Sequence, residues 1–274
     1  MASARAPLKL AVAGLGAIGL AVARRVDAGE LPGMLLIAAA ARDHDKARKA
    51  TAGFRAPPPM TTLAGLAEVA DVIVECLPAA HFAAVAEPAV ANGRILMPLS
   101  VGALLEHWGL VARAEQTGAR ILVPTGALLG LDAVRAAAEG TISSVRMVTR
   151  KPPAGLAGAP LLAQRNISLA GLTAPLLVFE GSAREAIAGF PANVNVAVAL
   201  SLAGIGPDRT RVEIWADPTV THNTHSIVVT SNSSDLTMSI QNIPSLENPR
   251  TGRITALSAL AALRRLTATL VVGT

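Results

Sequence analysis

From Leu8 to about Thr125 the chain alternates short apolar runs with longer stretches whose apolar residues recur at helical spacing. That alternation is the signature of βαβ units feeding a parallel sheet. The apolar runs predict strands over 8–13, 35–40, 72–77, 95–99 and 121–123, and the periodic stretches predict helices over 18–26, 45–52, 80–91 and 103–116. Gly93 and Gly118 stand just past two of these helices, where a C-cap is wanted. After Gly130 the texture changes. Strands are expected over 142–149, 211–216, 223–230 and 236–241, now with polar and apolar residues mixed, as in an antiparallel sheet with one covered face. The last alternates cleanly, Leu236, Met238 and Ile240 against Thr237, Ser239 and Gln241. Ser231–Asp235 reads as the hairpin loop before it. Ser182 and Glu185 have capping-box spacing, and Pro191 suits the first turn of a helix over 192–203, stopped by Gly204. A final helix over 252–270 lines up Ile254, Leu257, Leu260 and Leu263, and a parallel sheet needs helices on both faces, so this helix should return to the first sheet.

The fold class expected is therefore α/β: a Rossmann-type doubly wound parallel sheet, with a second α+β domain built on a mostly antiparallel sheet. The first domain should comprise 1–125 and 246–274 and bind a dinucleotide. The second, 126–245, should bind substrate and dimerise. Composition narrows the class. Of 274 residues 51% are apolar and only 2% aromatic, so the cores are built from Ala, Leu, Val and Ile. The net charge of +5 is small, and basic residues cluster no further than short pairs such as Arg24-Arg25 and Arg264-Arg265. No basic stripe suggests nucleic acid. The single cysteine, Cys76, can form neither an intramolecular disulfide nor a thiolate metal cluster, which points to a reducing compartment. Met1–Pro7 lacks the apolar core of a signal peptide, and no window reaches the ~18–20 uncharged apolar residues that cross a bilayer. A soluble cytoplasmic protein without membrane association is expected.

The chemistry begins at Gly14-Leu15-Gly16-Ala17-Ile18-Gly19, which follows an apolar strand and opens a helix. Gly14 makes the tight turn, Gly16 lets backbone approach a pyrophosphate, and Gly19 allows close helix–strand packing, with the phosphates at the helix N-terminus. An NAD-selective site would place Asp or Glu at the end of the second strand, but here Arg42 follows four alanines, then Asp43. Arg42 suits an NADP 2′-phosphate or is a solvated loop cation; Asp43 reaches a ribose hydroxyl or caps the next helix. NADP should be accepted at least as well as NAD. Cys76, Leu77 and Pro78, and the turn Pro98–Gly102, end strands on the ligand-binding edge and should border the nicotinamide. Cys76 reads better as a packing residue than as a nucleophile, because no base is near it in sequence.

In the second half, Phe190–Ala197 and Ala216–Ile227 stand out. With the glycine turn, Glu75–Pro78, Val123–Ala133, Thr149–Pro153, Ser201–Thr210 and Glu247–Pro249, they run in the order of the L-aspartate dehydrogenase family, which this sequence resembles over nearly its whole length. The resemblance implies oxidation of L-aspartate to iminoaspartate by hydride transfer to NAD or NADP, a homodimer, and a link to NAD biosynthesis or aspartate catabolism. It also implies that His225 is the catalytic histidine and that Ala127 and one of Asn193 and Asn195 touch the cofactor. Ser226, where an acidic residue often follows the histidine, and Gly252-Arg253 depart from the family pattern.

The residues themselves support His225. Hydride can leave Cα only when the amine is neutral, and hydrolysing an imine needs a deprotonated water, so a base titrating near neutrality is useful. Strand parity puts His225 with Ile227 and Val229, against Thr224, Ser226 and Val228. Lys151 and backbone donors at Ser100, Val101 and Gly102 are candidates for a dicarboxylic amino acid or 2-oxo acid. Competing readings are a sugar dehydrogenase-like or dihydrodipicolinate reductase-like enzyme, or a non-enzymatic NAD(P)-binding protein. The first would carry Glu-Lys-Pro after the 95–99 strand, where Met97-Pro98-Leu99-Ser100 stands. The second would show a paired-histidine motif with a nearby lysine.

Overall fold

The computed structural model describes residues 6–191, 194–245 and 251–273. The chain divides into two compact units, residues 1–124 with 256–271, and residues 125–255 with 272–274. The first runs β1 (Leu8–Ala13), α1 (Ala17–Asp27), β2 (Met34–Ala40), α2 (His44–Thr51), α3 (Leu66–Val69), β3 (Val72–Glu75), α4 (Phe82–Ala91), β4 (Ile95–Pro98), α5 (Val101–Glu106), α6 (Gly109–Thr117) and β5 (Arg120–Ile121). Its five strands are all parallel, in the order β2-β1-β3-β4-β5. A parallel strand is covered on both faces, and so β3 is buried at every position and β1 from Leu10 onward. This is why continuous apolar runs located these strands.

The second unit runs α7 (Leu131–Ala138), β6 (Ile142–Lys151), α8 (Pro153–Leu156), α9 (Pro160–Gln164), β7 (Leu176–Ser182), α10 (Ala183–Gly189), α11 (Asn195–Ala203), β8 (Thr210–Ala216), β9 (Asn223–Ser231) and β10 (Asp235–Asn242). Its sheet has the order β10-β9-β6-β8-β7, antiparallel except where β6 meets β8. The capping box is present: Ser182 Oγ accepts from Glu185 N–H at 3.2 Å while Glu185 Oε2 accepts from Ser182 N–H at 2.7 Å. The loop between β9 and β10 closes on itself, with Ser231 N–H donating to the Ser234 carbonyl.

The last helix, α12 (Ile254–Arg265), joins the parallel sheet: Ala259, Leu260 and Leu263 share one core with Leu10, Val12, Val22, Val26 and Val74. Thr267 Oγ1 donates to the Pro32 carbonyl just beyond it. The expected face of Ile254, Leu257, Leu260 and Leu263 is corrected, however, since Ile254 is 38% and Leu257 50% exposed. Successive residues turn by about 100°, so two positions nine apart lie on opposite sides of the helix. A stripe drawn at every third residue therefore drifts off the buried face, which follows Ala259, Leu260 and Leu263.

Other differences have equally local causes. The helix expected over 103–116 is two, α5 and α6, broken at His107-Trp108, where the His107 ring packs at 5.6 Å from Phe82. β7 was not expected; it is an edge strand that leaves Leu176 and Leu177 partly exposed, without the alternation that marks a half-covered strand. The helix expected from residue 192 begins at Asn195, and Ala192 and Asn193 lie outside the described residues.

Candidate active site

The glycine turn stands at the carboxyl edge of the parallel sheet. Gly14 has φ +96°, and a Cβ there would lie 2.8 Å from the Cys76 carbonyl oxygen, so only glycine fits. Its N–H donates to the Ala40 carbonyl at 2.8 Å, tying the turn to the end of β2. A Cβ on Gly19 would lie 1.9 Å from the Gly14 carbonyl oxygen, whereas around Gly16 a Cβ would meet nothing within 4 Å. Gly16 therefore faces open space rather than packing. The first bond of α1 runs from Leu20 N–H to the Gly16 carbonyl, which places the Ala17, Ile18 and Gly19 N–H groups ahead of any intrahelical acceptor. No acidic residue occupies the first turn of α1, and Arg24 and Arg25 sit in its last. The dipole's positive end is thus uncancelled, and the turn fits a pyrophosphate.

Beyond β2, Asp43 caps α2, its Oδ1 accepting from Lys46 N–H at 2.9 Å. Of the two roles open to Asp43, the structure shows the cap. Arg42 is exposed and makes no ion pair among the described residues. The loop after β3 carries Cys76, Leu77 and Pro78. Burial, and the neighbouring Glu75 carboxyl, push the Cys76 thiol well above its ordinary value, and its side chain packs on the core of the unit. It is a packing residue, not a nucleophile.

Ser100, expected to offer donors to a substrate, is bonded to the loop after β3. Its N–H donates to Glu75 Oε2 at 3.1 Å, and its hydroxyl lies 2.6 Å from the Leu77 carbonyl and 3.1 Å from Glu75 Oε1. Both donors are committed within the unit. Val101 and Gly102, which follow it, are buried in the first turn of α5.

In the second unit, β6 and β9 lie antiparallel with Thr149 directly opposite His225. His225, Ile227 and Val229 are buried and Val228 is exposed, as strand parity predicts. Thr149 Oγ1 lies 3.1 Å from His225 Nδ1. Lys151, two residues along β6 on the same face, is 5% exposed and His225 is 3% exposed. Burial pulls Lys151 down to about 8, and burial first, the Lys151 ammonium second, pull His225 down to about 3. The imidazole is accordingly neutral at physiological pH and the lysine largely protonated. Downstream of β8, Asp217 anchors the approach to β9: it accepts from Thr219 N–H and Oγ1 at 2.9 and 2.6 Å and pairs with Arg150 at 3.0 Å. His222, by contrast, is only partly covered and lies 2.8 Å from its neighbour Thr221 Oγ1.

Of the remaining residues expected to touch cofactor, Ala127 has its carbonyl held by Asn242 Nδ2 at 2.9 Å, and Asn195 opens α11. Asn193 lies outside the described residues. Sequence reading missed Thr149, Asn242 and Glu75. The only signal for the first was its parity with Lys151 on one strand.

A shifted histidine gives a pH signature. Below pH 6.5 the unfolded chain takes up a proton that native His225 refuses until about pH 3, so stability should fall across that window by up to about 1.4 kcal/mol per pH unit and be untouched above it. His225→Ala lacks this component. The gap in thermal midpoint between wild type and variant should therefore narrow on acidification from pH 7 to 4, and a constant gap would contradict the burial of a neutral imidazole.

Strand, glycine turn and helix in this order, with an imidazole and an ammonium on a separate sheet, make the chain a dinucleotide-dependent oxidoreductase of the two-unit kind. Residues 14–124 match the NAD-binding domain model of homoserine dehydrogenase, and residues 132–266 match the aspartate dehydrogenase C-terminal model. The sequence is 55% identical over 99% of its length to the L-aspartate dehydrogenase of Bradyrhizobium diazoefficiens, covering 96% of that protein, and 55% identical to L-aspartate dehydrogenase 3 of Bordetella bronchiseptica, covering all of it. The crystal structure of an aspartate dehydrogenase from Thermotoga maritima shares the fold, with a TM-score of 0.73 at 23% identity over 97% of this chain and 99% of that one. The chain belongs to the L-aspartate dehydrogenase family.

Proposed function

We propose that this protein oxidises L-aspartate to iminoaspartate with NAD or NADP as hydride acceptor, the imine hydrolysing to oxaloacetate and ammonia, and that it runs reductive amination of oxaloacetate in reverse. The observation that carries this reading is the buried His225, set opposite Thr149 and beside Lys151 in a family of aspartate dehydrogenases. Bound nicotinamide would supply the hydride acceptor; the residues that would hold the dinucleotide are the glycine turn, Arg42 and the loop at Cys76–Pro78, together with Ala127 and one of Asn193 and Asn195. His225 takes the proton from the substrate ammonium and later from the attacking water. The Thr149 hydroxyl at Nδ1 orients the ring, leaving Nε2 to act. Lys151 balances a substrate carboxylate. The two carboxylates of the substrate also offset the ammonium that depresses His225 and so restore basicity to the imidazole when it is needed.

The same reading places the protein in the cytoplasm as a homodimer, acting in NAD biosynthesis or aspartate catabolism, as its family resemblance implies. Among the described residues no helix is long and apolar enough to cross a membrane.

Purified protein given a panel of amino acids and polyols with each cofactor should produce reduced nicotinamide with L-aspartate, and with NADP at least as well as with NAD. No aspartate-dependent signal would end the proposal, and a preference for NAD of about a hundredfold or more would remove the role given to Arg42. In the same assay Arg42→Glu should weaken NADP far more than NAD, because attraction to a 2′-phosphate becomes repulsion while a ribose hydroxyl is tolerated. Equal losses would make Arg42 a purely structural residue.

A further inference from the structure

The rim of the parallel sheet holds a carboxyl that the reaction does not use. Glu75 closes β3 and is completely buried, after three apolar residues. A buried carboxyl persists only where donors meet it. Here they come from two separate loops. Oε1 accepts from Leu77 N–H at 2.7 Å, in the loop after β3, and Oε2 accepts from Ser100 N–H at 3.1 Å, in the loop after β4. The Ser100 hydroxyl closes the strap, 2.6 Å from the Leu77 carbonyl and 3.1 Å from Oε1. Burial raises the carboxyl above the usual range, and these main-chain donors hold it back.

The strap ends where the glycine turn begins. A Cβ on Gly14 would lie 2.8 Å from the Cys76 carbonyl oxygen and 2.9 Å from Leu77 Cδ2, so the Cys76-Leu77 peptide is the wall against which Gly14 rests. The other side of that turn is pinned by Gly14 N–H on the Ala40 carbonyl.

We propose that Glu75 is a positioning residue of the cofactor site: by strapping the loops after β3 and β4 together it holds Cys76-Leu77 against Gly14 and keeps the glycine turn in register for the pyrophosphate. This rests on reading Gly14–Gly19 as the nucleotide turn. Both carboxyl oxygens accept a main-chain N–H, and glutamine has one accepting oxygen, so its amide NH2 must face a donor. Glu75→Gln is thus a disruption rather than a conservative change.

The test is NADH binding to the free enzyme, followed by nicotinamide fluorescence, alongside thermal midpoints. Glu75→Gln should raise the Kd for NADH roughly 10- to 100-fold, the cost of leaving a buried donor unmet at the turn's support. Ser100→Ala keeps both main-chain donors and the fold; it should raise Kd roughly three- to tenfold with a midpoint within about 2 °C of wild type. Because both changes cut one strap, the double variant should bind no more weakly than Glu75→Gln alone. An unchanged Kd for Ser100→Ala, or losses that multiply in the double variant, overturns the proposal. If Gly19→Ala also leaves NADH binding intact, the reading of the turn fails instead, which separates the two.

Discussion

Replacing His225 with alanine is expected to lower turnover of L-aspartate by roughly 10²–10⁴-fold, the span for losing a positioned general acid–base, with cofactor affinity little changed. Hydride transfer moves no proton at nitrogen, and hydrolysis of the imine needs a proton removed from water. In the second unit the imidazole of His225 is neutral and buried, with Nδ1 3.1 Å from the Thr149 hydroxyl, and under the proposed function the substrate carboxylates restore the basicity that both tasks need. Lys151 stays largely protonated near neutrality and serves charge balance better than proton removal. His222→Ala is the matched control. Three residues away and partly covered, with its ring 2.8 Å from the hydroxyl of its neighbour Thr221, it should retain most activity. Near wild-type turnover in the His225 variant with failure of the His222 variant would transfer the role to the other imidazole.

Gly19→Ala should abolish measurable NADH binding, with Kd up by more than about 100-fold. The added Cβ falls 1.9 Å from the Gly14 carbonyl oxygen and 3.0 Å from Val12 Cγ1, a clash with backbone that no rotamer relieves. Relief requires α1 to move off β1, carrying with it the N–H groups of Ala17, Ile18 and Gly19. Gly16→Ala makes the instructive contrast. Nothing lies within 4 Å of its Cβ, so the free protein should keep its thermal midpoint, yet the methyl group enters the space reserved for the pyrophosphate and should weaken binding about tenfold or more. Wild-type affinity in both variants would mean that the dinucleotide binds elsewhere.

Much of the fold was legible because its signals are short-range. β1 was located to the residue, since a strand covered on both faces reads as an unbroken apolar run, and the burial of His225 followed from alternation along nine residues of β9. The glycines were legible for a similar reason: their steric demands are set within a strand, a turn and one helical turn. The last helix was recognised as amphipathic, but its buried face was misplaced because large side chains were counted at every third position.

What remained hidden depends on pairing between distant segments. Thr149 and His225 are 76 residues apart, and they meet only because β6 is antiparallel to β9 in one register; a shift by one residue would turn His225 away from the core. That the Ser100 N–H meets Glu75, 25 residues earlier, was equally hidden. The parallel contact of β6 with β8 inside a mostly antiparallel sheet is of the same kind. The order of residues by itself determined which positions must be glycine, which face of β9 is buried and which family the chain resembles, because each follows from local sterics or from motifs read in order. Only the tertiary structure decided which side chains share a hydrogen bond and which charges lower the basicity of the imidazole, because partners on neighbouring strands are chosen by register and burial, and neither is written at the residues themselves.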